Sequence, residues 1–556
     1  MTGKKSNEVT RFLLVKLQLE ELKECMSVQE LKSTLRNMPR TLDAIFRRIL
    51  SNIRPCHRER AKTVLLWLTL SFRTLYVEEI EDVLAVNPTN KADPDSDMAF
   101  DPDSRLQNGQ DEIFSICSSL VKVERDPKTK RTTIQLAHLS MKEYLLSNRY
   151  QSEPSSTWLS CIQAGPSHCS IARTSLSYLL YFERGDFFEL NKLEDFPLAR
   201  YAAQFWFEHA RLAGDVTGPL DTQMQGLFGH HKEAFANWIR LFNPDVPQEE
   251  PKIRKKSREV RSPWYYASLL GLNNLIQPLL ASVSDINAPV GFAGNALQAA
   301  SFRGLDETVA LLLALGADVN ARASSDRHDA LHAASYSGHT QVVRTLLEAG
   351  ADADSCGGLY GYALQAAAYN GHEETVRLLL DKAASVNAVG GHWGTALIAA
   401  SWSGFSGVVK LLLQRHAEVN LMAENFGTAL QAASCDGQET VVDVLLEAGA
   451  DVKLVAGGPE WFGTALQAAA SSGFESIARK LIDRGAGVNA RGGKYGTPLI
   501  AAAAMGQESM VQFLLNEGAD LHAEIEGKEY KNAWEATDRQ NLVKQRLRDW
   551  MRSHLP

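Results

Sequence analysis

The sequence predicts a mainly α chain: a solenoid of stacked helix pairs with β-turn tips, preceded by a helical module that ends in a two-strand wing. Three observations carry this. An ALxAA element recurs with its leucine at Leu297, Leu331, Leu364, Leu397, Leu430, Leu466 and Leu499, at spacings of 34, 33, 33, 33, 36 and 33. A fixed period near 33 residues, a turn and then two helices, marks units that pack only on their neighbours. Upstream of it, apolar positions recur at helical spacing with one alternating stretch between them. Third, 556 residues exceed a single core, and 45% apolar with 22% charged residues is the composition of a globular protein.

In chain order, residues 12–50 read as helix, with Pro39 and a threonine cap separating two amphipathic runs. His57 to Phe72 and Tyr76 to Val86 are further helices, followed by an acidic loop over Asn87 to Gln110. DEIFSICSSL is helical, VKVERDPKTKRTTIQLAHLS alternates like a hairpin about Asp126 to Lys130, and SMKEYLLS closes the module. Helices, a two-strand wing and a final helix make a winged-helix plan. Helical signals continue around Ile171 to Phe182 and Ala199 to Ala213, and Lys252 to Arg261 form a basic junction. The predicted boundaries are a helical segment at 1–50, a winged helix at 51–153, a helical domain at 154–250 and a basic linker at 251–261. About eight repeats follow at 262–525, counting a degenerate first one, and a capping helix at 526–556.

The physics of one repeat explains its wording. Thr395, Thr428, Thr464 and Thr497 stand where a helix starts, and a threonine hydroxyl there accepts a bond from an orphan amide. Small residues such as Ala399, Ala400, Ala432 and Ala433 let inner helices approach, while runs such as Leu411 to Leu413 form the buried face of the outer helix. Gly404 and Gly437 are placed to end the first helix of a pair, and Gly350, Gly449, Gly485 and Gly518 the second. A single unit cannot bury its own apolar face, so truncating an anchor such as Leu430 to alanine is expected to cost about 2 to 5 kcal/mol.

GTALQAASCDGQETVVDVLLEAGADVK, residues 427–453, follows the pattern TPLHxAAxxG…VxxLLxxGADVN and resembles the ankyrin family. Two departures stand out. The histidine after the anchor is glutamine at Gln298, Gln365, Gln431 and Gln467, isoleucine at Ile398 and Ile500, and histidine only at His332, which puts the family's threonine-to-histidine bond in doubt. Extra residues around Gly457 to Trp461 lengthen one turn. PRTLDAIFRRIL, LLWLTLSFRTLYVEEIEDVLAV, IFSICSSLVKV, LAHLSMKEYLLS and FPLARYAAQFWFEHAR resemble the region after the NACHT nucleotide-binding domain of fungal NACHT and ankyrin-repeat, NLR-like (STAND) proteins. The module is also similar to the winged helix of GPI inositol-deacylase relatives. The resemblance implies a repeat array that senses a ligand and a nucleotide-operated switch that responds. However, no G-x-x-x-x-G-K-[ST] occurs, and Gly3-Lys4-Lys5-Ser6 lacks the strand and glycine loop that would cradle phosphates. The chain reads as the back half of such a switch, with no nucleotide or other cofactor expected.

Two aromatic series are the candidate sites. Tyr360, Trp393, Phe426, Phe462 and Tyr495 stand four positions before the anchor, at the turn tips, and read as rings that pack each turn on the next; Tyr530 continues them. Phe302, Tyr336, Tyr369 and Trp402 stand five positions after it and give way to Cys435, Ser471 and Ala504. The family resemblance puts this second position on the concave groove, where a contiguous aromatic stripe makes a partner-binding surface, with packing as the alternative.

Other signals are weaker. Asp93, Asp95 and Asp97 alternate as in a calcium loop, but Met98 and Ser104 stand where it needs glycine and glutamate. His138 and Ser140 lack an acid partner or nucleophile elbow and read as structural, where wing meets helix. His230 and His231 lack metal-ligand spacing. Lys128, Lys130 and Arg131 are a thin basic patch for nucleic acid, which a net charge of −8 does not favour. Seven scattered cysteines without CxxC fit reduced thiols in the cytoplasm, with the nucleus as the alternative, and no stretch reads as a membrane span. The sequence therefore favours a non-enzymatic protein-interaction scaffold or sensor, without catalytic or metal residues, whose winged helix relays to a NACHT-type switch. The alternative is an incomplete piece of a nucleotide-dependent signalling, heterokaryon-incompatibility or defence protein.

Overall fold

In a computed structural model the described residues are 26–86, 100–117, 120–127, 129–147, 162–183, 193–214, 218–248, 261–322, 329–456, 463–525, 530–537, 542–545 and 547–548, with 14, 15, 18, 19 and 22. Phe462, Lys128, most of the acidic loop, nearly all of the basic linker, Asp93 to Met98 of the calcium-like run, Gly3 to Ser6 and the added turn at 457–461 lie outside them. The fold is mainly helical, and it divides into two units: 1–264 with 274–281, and 265–273 with 282–556.

The first unit begins with helices Val28–Arg36 and Leu42–Ser51, each capped by a hydroxyl, Ser27 on the Glu30 amide and Thr41 on the Ala44 amide. The winged-helix plan follows as helices Arg58–Leu70, Val77–Ala85 and Gly109–Cys117, and helix Leu139–Leu146 completes it. The wing is β2, Val121–Arg125, paired antiparallel with β3, Thr132–Leu136. A strand not foreseen from the sequence, β1 (Leu75–Tyr76), adds to the other side of β3 through Ile134 and Thr133. Helices Ala164–Leu180, Ala199–Leu212, Pro219–Gln225 and Lys232–Leu241 form the helical part, around Tyr178, Tyr201, Trp206 and Trp238, all fully buried.

Two buried polar networks tie these helices together. Asp82, fully buried, receives Arg105 Nε at 2.6 Å, the Tyr178 hydroxyl at 2.6 Å and the Leu198 amide at 3.2 Å. Burial pushes the Asp82 carboxyl up, and these donors pull against it. His209, also fully buried, meets His168 through facing Nδ1 atoms at 2.8 Å and the Tyr201 hydroxyl at 2.9 Å. Burial lowers its imidazole to about 3, so both rings are neutral and one Nδ1–H donates to the other.

The second unit is a stack of inner and outer helices. Ala296–Arg303 with Asp306–Ala314, Ala363–Tyr369 with Glu373–Asp381 and Ala465–Ser472 with Glu475–Asp483 are three of the seven regular pairs among the described residues. The threonine caps form as expected: Thr395, Thr428, Thr464 and Thr497 each accept from the amide three residues on. Outer helices end in left-handed glycines, Gly350 at φ 90° and Gly449 at φ 87°, but Ala383 at φ 65° and His416 at φ 67° take the same conformation with a side chain. Of the expected capping helix, Ala533–Ala536 and helical residues at 542–545 and 547–548 are described.

Candidate functional site: an aromatic ladder on the repeats

The glutamines that displace histidine are the first thing the site depends on. Gln467 Oε1 accepts from the Thr464 amide at 2.7 Å, and Nε2 donates to the carbonyls of Ala490 at 3.1 Å and Gly496 at 2.8 Å in the following repeat's turn. Gln431 does the same with Thr428, Leu454 and Gly463, and Gln365 with Tyr362 and Ala388. His332 performs the equivalent task, joining the Asp329 carboxylate at 2.8 Å to the Gly361 carbonyl at 3.1 Å. The bond in doubt is thus replaced in the glutamine repeats, because the amide nitrogen reaches the carbonyls of the next turn as the His332 Nε2 does, while its oxygen accepts from the amide of the cap residue. Only Ile398 and Ile500 leave their repeats without it.

Each turn so fixed places its tip aromatic against the inner helix of a neighbour. Phe302 stacks on Tyr336 at 6.3 Å between centroids, Tyr336 meets Tyr360 at 5.2 Å, and Tyr360 meets Tyr369 at 5.5 Å. Tyr369 stacks on Trp393 at 4.5 Å, and Trp393 on Phe426 at 4.8 Å with planes 18° apart. Trp402 packs on both Trp393 and Phe426, at 5.7 and 4.9 Å. The two series that the sequence separates by spacing are therefore one ladder of seven rings. From Tyr336 to Phe426, groove residues and tip residues alternate along it. All seven are half-buried except Phe426, which is 9% exposed. Tyr495 stands apart, stacked on Tyr530 at 6.5 Å.

The ladder is pinned from behind. The residue that opens the outer helix of the next repeat donates to the carbonyl of the groove aromatic: His339 to Phe302 at 3.1 Å, His372 to Tyr336 at 3.0 Å, and Gln438 to Trp402 at 3.1 Å. These bonds fix the backbone of three of the four groove positions. The rings spend their faces on one another. Beyond Trp402 the character changes. Cys435 is half-buried at the next position, and burial pushes its thiol up to about 11, so it is protonated and unreactive at neutral pH.

The remaining sequence signals take structural places. His138 caps helix Leu139–Leu146, its Nδ1 accepting from the Ser140 amide at 3.1 Å. Arg131, one of the two described members of the wing's basic patch, lies 4.0 Å from the centroid of the Tyr76 ring and 3.5 Å from Glu78. Among the described residues no group of three or more His, Cys, Asp or Glu is arranged to hold a metal, and no helix is long and apolar enough to cross a membrane.

Comparisons with known proteins agree with this architecture. The family model described as ankyrin repeats matches residues 264–356, 355–423 and 430–525. The one described as GPI inositol-deacylase, winged helix domain, matches residues 50–155. The chain is similar to the azaphilone pigments biosynthesis cluster protein L of Monascus ruber, 32% identical over 316 residues. That match covers 54% of this chain and 65% of the relative, so the chain spans less than two thirds of the relative's length. Among solved structures it is similar to the crystal structure of the human ASB11 ankyrin repeat domain, with 26% identity, 41% of this chain and 98% of that chain covered, and a TM-score of 0.36.

Proposed function

From a chain that carries ankyrin repeats and a winged-helix domain of the GPI inositol-deacylase type, we propose a non-enzymatic interaction protein. Its repeat array grips a protein partner along Phe302, Tyr336, Tyr369 and Trp402, and its winged-helix module relays that binding to a NACHT-type, nucleotide-operated switch. The observation that carries the first half is the ladder. A continuous run of half-buried rings, pinned through its backbone, has the composition and rigidity of a binding hot spot. Its restriction to the first full repeats supports a defined footprint, since Cys435, Ser471 and Ala504 replace the aromatics afterwards. The relay rests on the junction motifs alone.

The test is capture from cell extract by the full chain and by a Tyr369→Ala, Trp402→Ala variant with an unchanged melting curve. Each aromatic hot spot contributes about 2 kcal/mol or more, so the double variant is expected to weaken a captured partner by at least about 30-fold. Undiminished capture refutes the ladder as the site. The switch is tested separately. A G-x-x-x-x-G-K-[ST] segment encoded upstream in the same transcript supports it, and ATP turnover by the purified chain alone refutes it.

A further inference from the structure

The first unit has a cleft that the reading above does not use. Two adjoining hollows of about 550 and 790 Å³ share Arg73, Thr74 and Gln135 on the outer side of the small sheet. The first lies between the loop leading into β1 and the junction of β3 with helix Leu139–Leu146. At that place the sheet is incomplete. β1 covers only Thr133 and Ile134 of β3, while Gln135 and Leu136 have a strand partner on the β2 side alone. An open strand edge of this kind accepts an extended segment through main-chain hydrogen bonds.

The charge of the lining says which segment. Arg73, Lys122, Arg125, Arg131, Lys142 and Arg200 line the two hollows against Glu79, Glu124 and Asp126, a net of +3 in a chain whose total is −8. Glu79 is engaged by Arg73 at 2.9 Å, Glu124 by Lys122 at 2.8 Å, and Arg131 faces Glu78 outside the lining at 3.5 Å. Lys142 in the first hollow and Arg200 in the second have no hydrogen-bond or ion-pair partner among the described residues. Leu139 stands at the rim of the first hollow, 67% exposed, with Leu68 and Leu136 beside it.

We propose that this cleft binds an extended acidic segment of another protein. Its main chain adds to the edge of β3 beyond β1, an apolar side chain covers Leu139, and carboxylates meet Lys142 and Arg200. A nucleic acid fits less well, since it offers no strand to the open edge and Glu124 and Asp126 would repel its phosphates along the groove.

The experiment is selection of random 12-residue displayed peptides on the full chain, with clones sorted by two variants. Lys142→Glu with Arg200→Glu reports the cleft, and Tyr369→Ala with Trp402→Ala reports the ladder. Melting curves confirm that both variants fold, and the two readings can then fail independently. The expected result is a class of clones rich in Asp and Glu next to Leu, Ile or Val. As synthetic peptides, these lose at least tenfold in affinity on charge reversal and are indifferent to the ladder variant. Replacing a central residue by proline, which removes a main-chain donor, is expected to weaken them further. The proposal is overturned if no such class emerges or if charge reversal leaves its affinity unchanged. It is also overturned if a 20-nucleotide single-stranded DNA binds as tightly with the same dependence on Lys142 and Arg200.

Discussion

Replacing Gln467 by isoleucine, the residue that the chain itself uses at Ile398 and Ile500, tests whether the glutamine bridges hold the repeats together. Gln467 is 1% exposed, and its side chain serves one amide and three carbonyls. Gly492 and Gly496 retain each other's amides as donors, at 2.9 and 3.1 Å, so their carbonyls are not orphaned by the change. The Thr464 amide and the Ala490 carbonyl are left without those bonds. An unsatisfied buried group costs about 1 to 3 kcal/mol, and the Ala490 carbonyl is only half-buried and costs about 1, so the substitution should cost about 2 to 4 kcal/mol. Because each unit leans only on its neighbours, the loss should concentrate at one seam. Guanidinium unfolding followed by circular dichroism measures the total, and amide exchange at Thr464 locates it. Gln467→His, which keeps a donor for the next turn as His332 does, should recover part. A stability change under about 0.5 kcal/mol with the Thr464 amide still protected would refute the bridge as a source of stability.

Three further outcomes follow from particular residues. Ala383→Gly and His416→Gly relieve left-handed conformations at φ 65° and 67°, and each should stabilise the array by about 1 kcal/mol, read as a higher unfolding midpoint. Arg105→Met strips the buried Asp82 carboxylate of its cation and should lower stability by about 3 kcal/mol, with Asp82→Asn in the same chain restoring part; an unchanged melting temperature would count against the network. His209 binds its proton at about 3 when folded and near 6.5 when unfolded. The unfolded chain is then the one that takes up a proton between those values, so the contribution is present above about pH 6.5 and lost as pH falls. From pH 7 to 5 the loss is about 2 kcal/mol, and His209→Leu should flatten the pH dependence of the midpoint in that range even if its stability is lower.

The repeats were legible because their instructions are local. Thr464 caps its helix through an amide three residues away, and Gly449 turns the chain by itself, so a period of 33 with those residues in place needs no distant information. The same holds for the wing, where β2 and β3 announce themselves by alternation. β1 was not legible, since two residues, Leu75 and Tyr76, become a strand only because Thr133 and Ile134 lie alongside. Nor was the work of the glutamines, whose two ends meet groups up to 32 positions apart from them in sequence.

What the sequence by itself determined is the list of parts: helix pairs, caps, turns, a wing, and two sets of aromatic residues at fixed offsets from an anchor leucine. What only the tertiary structure decided is how those sets meet. Tyr360 touches Tyr336 across 24 positions and Tyr369 across 9, joining tip and groove rings in one surface. The physical reason is that a helix start or a turn is settled within a few residues, whereas a ring's neighbours are chosen by the stacking of one repeat on the next.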